Sequence, residues 1–373
     1  MRYAPFRMER WQSTYEHRVE INLSESGVHP LSLRELLDLS DFDGSIEDIR
    51  FEYGQSNGSD ALRERIAALY PGATEACVLV TVGGAEANFA SFWQLMETEG
   101  TAAAVVPTYG QVPGLLETFG NRVVPVPLVE EQGWQPDLDA LESALRQGAR
   151  FVLVTNPNNP TGAVLSGDAM DAIVRLTEQH GAWILADEVY AGAEVDGPAT
   201  PTFWGRHDRI LATNSLSKAY GLPGLRIGWI VCPPELRDEM WGRTDYITIC
   251  PATLSDTLAA LALEPETRRR ILERTRGIVR ANLGVLEEWM AAQEGRFRYR
   301  PPDAGAICYV RYDDGVNSTR FADVLRREKS VLVVPGDHFG MDRYLRIGFG
   351  NPRDELLEGL GRIREAFDEV RRA

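Results

Sequence analysis

Short apolar runs alternate with longer helical periods through the middle of the chain. ACVLVTV (residues 76–82) is a nearly continuous apolar run of strand length, and GGAEANFASFWQLM continues it as a helix with its glycines in the turn. AAAVVP, RVVPVPL, FVLVTNP, AWILADEVY (182–190) and RILATNSLS (209–217) read as further strands. Between 167 and 180, Met170, Ile173, Val174 and Thr177 recur at i, i+3, i+4 and i+7, one face of a helix. Apolar strands separated by helices imply right-handed crossovers and a mostly parallel sheet covered on both faces. Ligands of such a sheet sit at the carboxyl ends of its strands.

The C-terminal part follows a different pattern. TRRRILERTRGIVRANLGVLEEWMAA (267–292) predicts a long charged helix with Ile271, Thr275, Ile278, Asn282, Leu286 and Trp289 along one side. AICYVRY, SVLVVPG and YLRIGFG follow as strands. Asn351 as a cap and Pro352 in the first turn introduce a last helix striped by Leu356, Leu360, Ile363, Phe367 and Val370. The fold class expected is α/β, a large domain at 45–254 built on a mostly parallel sheet and a smaller α+β domain at 255–373.

With 39 Lys plus Arg against 55 Asp plus Glu, the net charge of −16 repels nucleic acid and anionic membranes. The four cysteines, Cys77, Cys232, Cys250 and Cys308, include no C-x-x-C pair, so neither a disulfide framework nor a metal site is expected. The charged opening MRYAPFRMERWQSTYEHRVEINL is no signal peptide, and no run of about 18 apolar residues occurs. A cytoplasmic protein is expected.

Five motifs fall at predicted strand ends: GGAEAN (83–88), PTYGQVPG (107–114), NPNNPTG (156–162), DEVY (187–190) and SLSKAYGLPGLR (215–226). The last holds a lysine in a glycine-rich turn, with hydroxyls before it and an arginine eight residues after it. Read singly, each has an ordinary use: NPNNPTG is a turn, and a lysine is usually a solvated surface charge. In this order they resemble the fold type I pyridoxal phosphate enzymes, specifically the class I/II aminotransferase family, over nearly the whole chain.

The resemblance implies a role for each residue. Lys218 is the expected Schiff-base lysine, since a primary amine exchanges its aldehyde partner with an incoming amino acid and then moves the α-proton. Arg226, Ser215, Ser217 and the backbone N–H groups of Gly84 and Ala85 are expected to hold the phosphate, with Glu86 turned away. Asp187 is expected to partner the pyridine nitrogen, Tyr190 and Asn159 the ring's 3′-oxygen, and Tyr109 to stack on the cofactor face. Arg346 is expected to hold the substrate α-carboxylate in a bidentate pair, with Asn159 and the Gly27 backbone beside it. Tyr53, with Gly58 in YGQSNGSDALR, matches a tyrosine that reaches the phosphate of a neighbouring subunit, which implies a homodimer with shared active sites.

Residues 1–44, with NLSESGVHPLSLREL, occupy the place where the family joins the small domain and closes over substrate. The activity implied is amino-group transfer from an L-α-amino acid to a 2-oxo acid. A β-eliminating C–S lyase, or a cyclase of the capreomycidine synthase branch, is the alternative that S-G-V in this segment raises; Glu25 and His29 would then meet a polar substrate side chain. WGRTDYITICPATLSD carries only Arg243 where dicarboxylate-specific relatives place a second arginine, which argues against strict aspartate specificity. Transcription regulators with a similar domain add a basic winged-helix module, for which this acidic chain has neither room nor charge.

Overall fold

The computed structural model describes residues 3–42, 44–96, 100–313 and 315–370. In chain order the strands are β1 (Ile21–Asn22), β2 (Val78–Thr81), β3 (Thr101–Val106), β4 (Arg122–Val129), β5 (Gln135–Pro136), β6 (Phe151–Thr155) and β7 (Trp183–Asp187). They continue as β8 (Ile210–Ser215), β9 (Gly228–Val231), β10 (Phe297–Tyr299), β11 (Ile307–Tyr312), β12 (Val331–Leu332), β13 (Val334–Pro335) and β14 (Tyr344–Gly348). Eight of them form one sheet in the order β2-β9-β8-β7-β6-β3-β4-β5. Its centre, β4-β3-β6-β7-β8, is parallel throughout.

The apolar runs become strands because both sheet faces are covered. Ala103, Val105, Val152, Val154, Ile184 and Ala186 point into one apolar core. The intervening Ala102, Ala104, Phe151, Leu153, Leu185 and Leu211 point into another. This two-residue alternation between two dry faces explains why no polar period interrupts the runs. The helix Gly167–Gln179 buries Met170, Ile173, Val174 and Thr177, the stripe read from its spacing.

A second sheet, β10-β11-β14-β13, is antiparallel and packs with the helices Pro265–Ala291, Ser318–Lys329 and Arg353–Val370 around a core of its own. The stretch SVLVVPG supplies two short strands rather than one: β12 pairs with β1 of the N-terminal segment, and β13 joins β14. Asn351 does not cap through its oxygen; its amide donates to the Asn22 carbonyl and to Glu355. Two elements carry no strong sequence signal. β9 runs antiparallel to both β2 and β8, and the polar stretch Arg7–Tyr15 is a helix that buries only Met8 and Gln12.

One buried acid ties the large sheet to a loop. Glu188, just past β7, accepts from the Thr202 hydroxyl on both oxygens and from the Phe203 N–H at 2.8 Å. Burial pushes its carboxyl up to about 7. The folded chain therefore binds this proton more tightly than the unfolded chain. The corresponding stability is fully present below the ordinary carboxyl value and is lost as pH rises through about 7. Urea unfolding of the wild type and of Glu188→Gln at about pH 5 and about pH 8 is expected to show a wild-type loss on the order of 3 kcal/mol that the variant lacks. Equal pH slopes in the two proteins would contradict this.

Candidate active site

Ends of the central strands converge on one cavity of about 350 Å³. β6, β7 and β8 deliver Thr155, Asp187 and Ser215 at their carboxyl ends, and the following loops deliver Asn159, Tyr190, Ser217, Lys218 and Arg226. Tyr109 enters from the loop after β3, Gly84, Ala85 and Asn88 from the helix Gly83–Leu95, and Arg346 from β14. The Asn-rich turn is held by its own side chains. Asn158 accepts from Thr161, donates to the Pro107 carbonyl and leaves Asn159 facing the cavity, while Asn156 accepts from the Leu165 N–H.

Lys218 follows β8 in a tight turn that Gly221 closes at φ +62. Its Nζ donates to Glu25 Oε2 at 3.4 Å. Burial drives the ammonium down, but the Glu25 carboxylate and Tyr190 outweigh it and hold Lys218 above the ordinary lysine value. In return the Lys218 charge holds Glu25 low. The N-terminal segment lies close to this lysine at Gly27, where an added Cβ would stand 3.3 Å from the Ser217 carbonyl oxygen, a tight contact, and 3.5 Å from Lys218 Cα.

Asp187 is buried, and its Oδ2 accepts from Asn88 Nδ2 at 3.0 Å, while Asn88 in turn accepts from the Thr213 hydroxyl. Its Oδ1 accepts from the Val189 N–H. Burial raises the Asp187 pKa despite these bonds. The Lys218 charge also lowers it, but among the described residues Asp187 makes no ion pair, and a carboxylate fixed in this way is prepared for a cation.

The opposite end suits an anion. Gly83 turns into its helix at φ +80, and a Cβ there would stand 2.4 Å from Arg226 Nη2. Gly228 of β9 must likewise be bare, since its Cβ would lie 2.5 Å from the Gly83 carbonyl carbon. This close approach leaves Gly84, Ala85, Ser215 and Arg226 lining one wall of the cavity. Arg226 donates to the Pro223 carbonyl and pairs with no carboxylate among the described residues. Glu86 turns away as expected, accepting from the Val82 N–H and the Thr248 hydroxyl.

Arg346 is 1% exposed, so it is no surface ion pair. Its Nη1 donates to Asn159 Oδ1 at 2.9 Å and its Nη2 to Gln12 Oε1 and the Ser24 carbonyl, while Nε has no hydrogen-bond partner among the described residues. Burial lowers its pKa. Tyr190 donates to Ser26 Oγ at 2.8 Å, and Tyr109 donates to Glu9 and packs edge-on against Phe6.

Some expected residues lie elsewhere. Tyr53 is 86% exposed and does not line the cavity. Gly58 is a packing glycine at φ +93, pressed on Val80. His29 faces Arg274 rather than the cavity, and Arg243 lies over Trp93. Conversely, Met8, Glu9, Gln12 and Glu16 of the first helix line the cavity without having been expected there. Their spacing puts them on one helical face, but the face is polar, so hydrophobic periodicity could not single it out.

The family model "Aminotransferase class I and II" matches residues 43–363. Capreomycidine synthase of Streptomyces vinaceus is 32% identical over 361 residues, covering 96% of this chain and 92% of the relative. The solved structure of a PLP-dependent aminotransferase from Streptococcus suis superimposes with a TM-score of 0.92 at 31% identity, covering 99% of both chains. That of the PLP-dependent cyclase OrfR superimposes at 0.90 and 27% identity, covering 99% of this chain and 98% of the other. With the fold, the motifs and the matched length in agreement, the chain belongs to the class I and II aminotransferase family, pyridoxal phosphate-dependent enzymes of the fold type I α/β architecture.

Proposed function

We propose that this cavity holds pyridoxal phosphate and transfers the amino group of an L-α-amino acid to a 2-oxo acid. The observation that carries the reading is the meeting in one cavity of Lys218, the buried carboxylate Asp187 and two arginines, Arg226 and Arg346, none of the last three in an ion pair among the described residues. Arg226, Ser215, Ser217 and the N–H groups of Gly84 and Ala85 would take the phosphate, Asp187 the ring nitrogen, and Tyr109 a ring face. When bound, the cofactor supplies an electron-accepting ring that stabilises the charge left at a substrate Cα when its proton departs.

The protein's own groups do the rest. Asp187 would keep a proton on the ring nitrogen by offering its fixed carboxylate. Tyr190 and Asn159 would hydrogen-bond the 3′-oxygen. Lys218 would be the covalent attachment point and the base that takes the proton from Cα. Arg346 would orient Cα by pairing with the α-carboxylate, for which its Nε, without a hydrogen-bond partner among the described residues, offers a donor. Residues 1–44 would act as the cover, between a cofactor domain at 45–254 and a small domain at 255–373. The β1–β12 pairing and the close approach of Gly27 to Lys218 support that division.

A homodimer belongs to the same reading. Phe51, Tyr53, Tyr246 and Ile249 expose large apolar surfaces, and Trp93 meets Tyr246 at 6.2 Å between ring centroids. The Thr248–Glu86 hydrogen bond joins this patch to the helix Gly83–Leu95 that lines the cavity, and a second copy seated on the patch would cover it. The four cysteines are free, which suits a reducing cytoplasm, and among the described residues no helix is long and apolar enough to cross a membrane.

The cyclase likeness keeps a second outcome in view, because ring closure or loss of a β-group would use the same anchor and base. Incubation with a panel of L-α-amino acids and an oxo acid, followed by mass spectrometry, is expected to yield the donor's oxo acid. A ring product or loss of a β-substituent would instead support the second outcome. Lys218→Ala is expected to lower turnover by at least about a thousandfold with an unchanged circular dichroism spectrum; retained turnover would refute its role. Mixing inactive Tyr53→Phe and Lys218→Ala subunits is expected to restore activity, since a hybrid dimer has one intact site. No recovery despite demonstrated subunit exchange would count against shared sites.

A further inference from the structure

The reading above uses only part of the motif GGAEAN. Gly84 and Ala85 face the phosphate side and Glu86 turns away, while Asn88, which also lines the cavity, is given no task. It lies about one turn beyond Gly84 in the helix Gly83–Leu95 and is 4% exposed. A primary amide is an unfavourable choice for a buried helical turn, because it weakens the helix and loses water at both its oxygen and its nitrogen. Asn88 is tolerated because each end meets a specific buried partner.

Those partners are neighbours in the sheet. Thr213 of β8 pairs with Asp187 of β7 in the parallel ladder, and both are buried. The Thr213 hydroxyl lies 2.8 Å from Asn88 Oδ1, and Asn88 Nδ2 lies 3.0 Å from Asp187 Oδ2. Such a chain can run in two directions. If Thr213 donates to Asn88, the amide donates to Asp187, which must be a carboxylate. If the amide is turned over, Asp187 must be the protonated donor, and the Thr213 proton is left with the Ala186 carbonyl at 3.4 Å. The short contact outweighs the long one, so the hydroxyl selects the first direction. The Val189 N–H, which can only donate, favours the same state from the other side at 3.2 Å.

The surrounding charges agree with this direction. Burial is what raises the Asp187 pKa, and the Asn88 bond is the largest influence against it, ahead of the Val189 N–H and the Lys218 charge. The other titratable groups nearby, Glu188 and Tyr109, are raised by burial first and by the Asp187 charge in addition.

We propose that Asn88, oriented by Thr213, is a positioning residue of this site: it holds Asp187 as a carboxylate, so that the proton shared with the ring nitrogen of pyridoxal phosphate stays on the ring. This rests on the cofactor reading given above. Without the amide, the proton passes from the ring nitrogen to Asp187, and the charged pair becomes a neutral acid beside a neutral ring, which a buried setting favours.

Solid-state NMR of the loaded protein reads both ends of that transfer without substrate. The probes are pyridoxal phosphate carrying 15N in its ring and 13C in the aspartate carboxyls, with Asp187→Asn assigning the Asp187 signal. The wild type is expected to show a protonated ring and an ionised Asp187. Asn88→Leu is expected to move the 15N signal toward the unprotonated position and the Asp187 signal toward the protonated one, a change of at least about tenfold in the proton's distribution. Thr213→Val is expected to act in the same sense more weakly and tests the idea independently if Asn88→Leu does not fold, whereas Thr213→Ser keeps the wild-type signals. Unchanged signals in both Asn88→Leu and Thr213→Val would overturn the proposal and leave the cofactor reading standing, and a change in Asn88→Leu alone would overturn the part given to Thr213. An unprotonated ring in the wild type would overturn the proposal together with the role of Asp187, and a wild type that takes up no pyridoxal phosphate would overturn it together with the cofactor reading.

Discussion

Both faces of the central sheet are buried in apolar side chains, so the sheet can present polar groups to a ligand only at the ends of its strands. This constraint gathers Thr155, Asp187 and Ser215 at one edge and aims the loops that follow them into a common cavity. The dry sheet also sets the electrostatics. Burial raises the Asp187 pKa by more than Asn88, Val189 and the Lys218 charge lower it, and Glu25 with Tyr190 holds Lys218 above the ordinary lysine value against its burial. Asp187 is thus a buried carboxylate held by hydrogen bonds, and Lys218 a buried ammonium held by a carboxylate.

Close backbone approach is the second requirement, and glycine meets it in two places. Gly83 and Gly228 let the phosphate-side turn, Arg226 and β9 pack without intervening side chains. At Gly27 the N-terminal segment lies close to Lys218, while Gly348 and Gly350 leave room for the backbone of Glu25 and Gly27 beside β14. The segment thereby touches the lysine, Arg346 through the Ser24 carbonyl, and Tyr190 through Ser26. One stretch of chain thus joins Lys218, Tyr190 and Arg346.

Much of this was legible from sequence because the groups involved are bound to local signals. The buried strands are apolar runs, the helix Gly167–Gln179 is a clean stripe, and Asp187 ends a strand while Asn159 and Lys218 lie in motifs within a few residues of strand ends. What escaped is long-range or polar. β9 is four residues long, and its antiparallel direction follows from its partners rather than its composition. The first helix faces the cavity with Glu9, Gln12 and Glu16, a pattern indistinguishable in sequence from a solvated face. SVLVVPG reads as one strand because its apolar pattern is continuous, yet its halves pair in different sheets. Tyr53, expected at a phosphate seat, is exposed and away from the cavity of its own chain.

The central claim is that the amine at position 218 is the point of attachment for the cofactor. Borohydride reduction of the pyridoxal phosphate-saturated protein, followed by peptide mass mapping, tests it most directly. One phosphopyridoxyl group on the peptide that contains Lys218, absent from Lys218→Ala, is the result this structure requires. A colourless protein with no adduct there, or label spread over surface lysines alone, would contradict it.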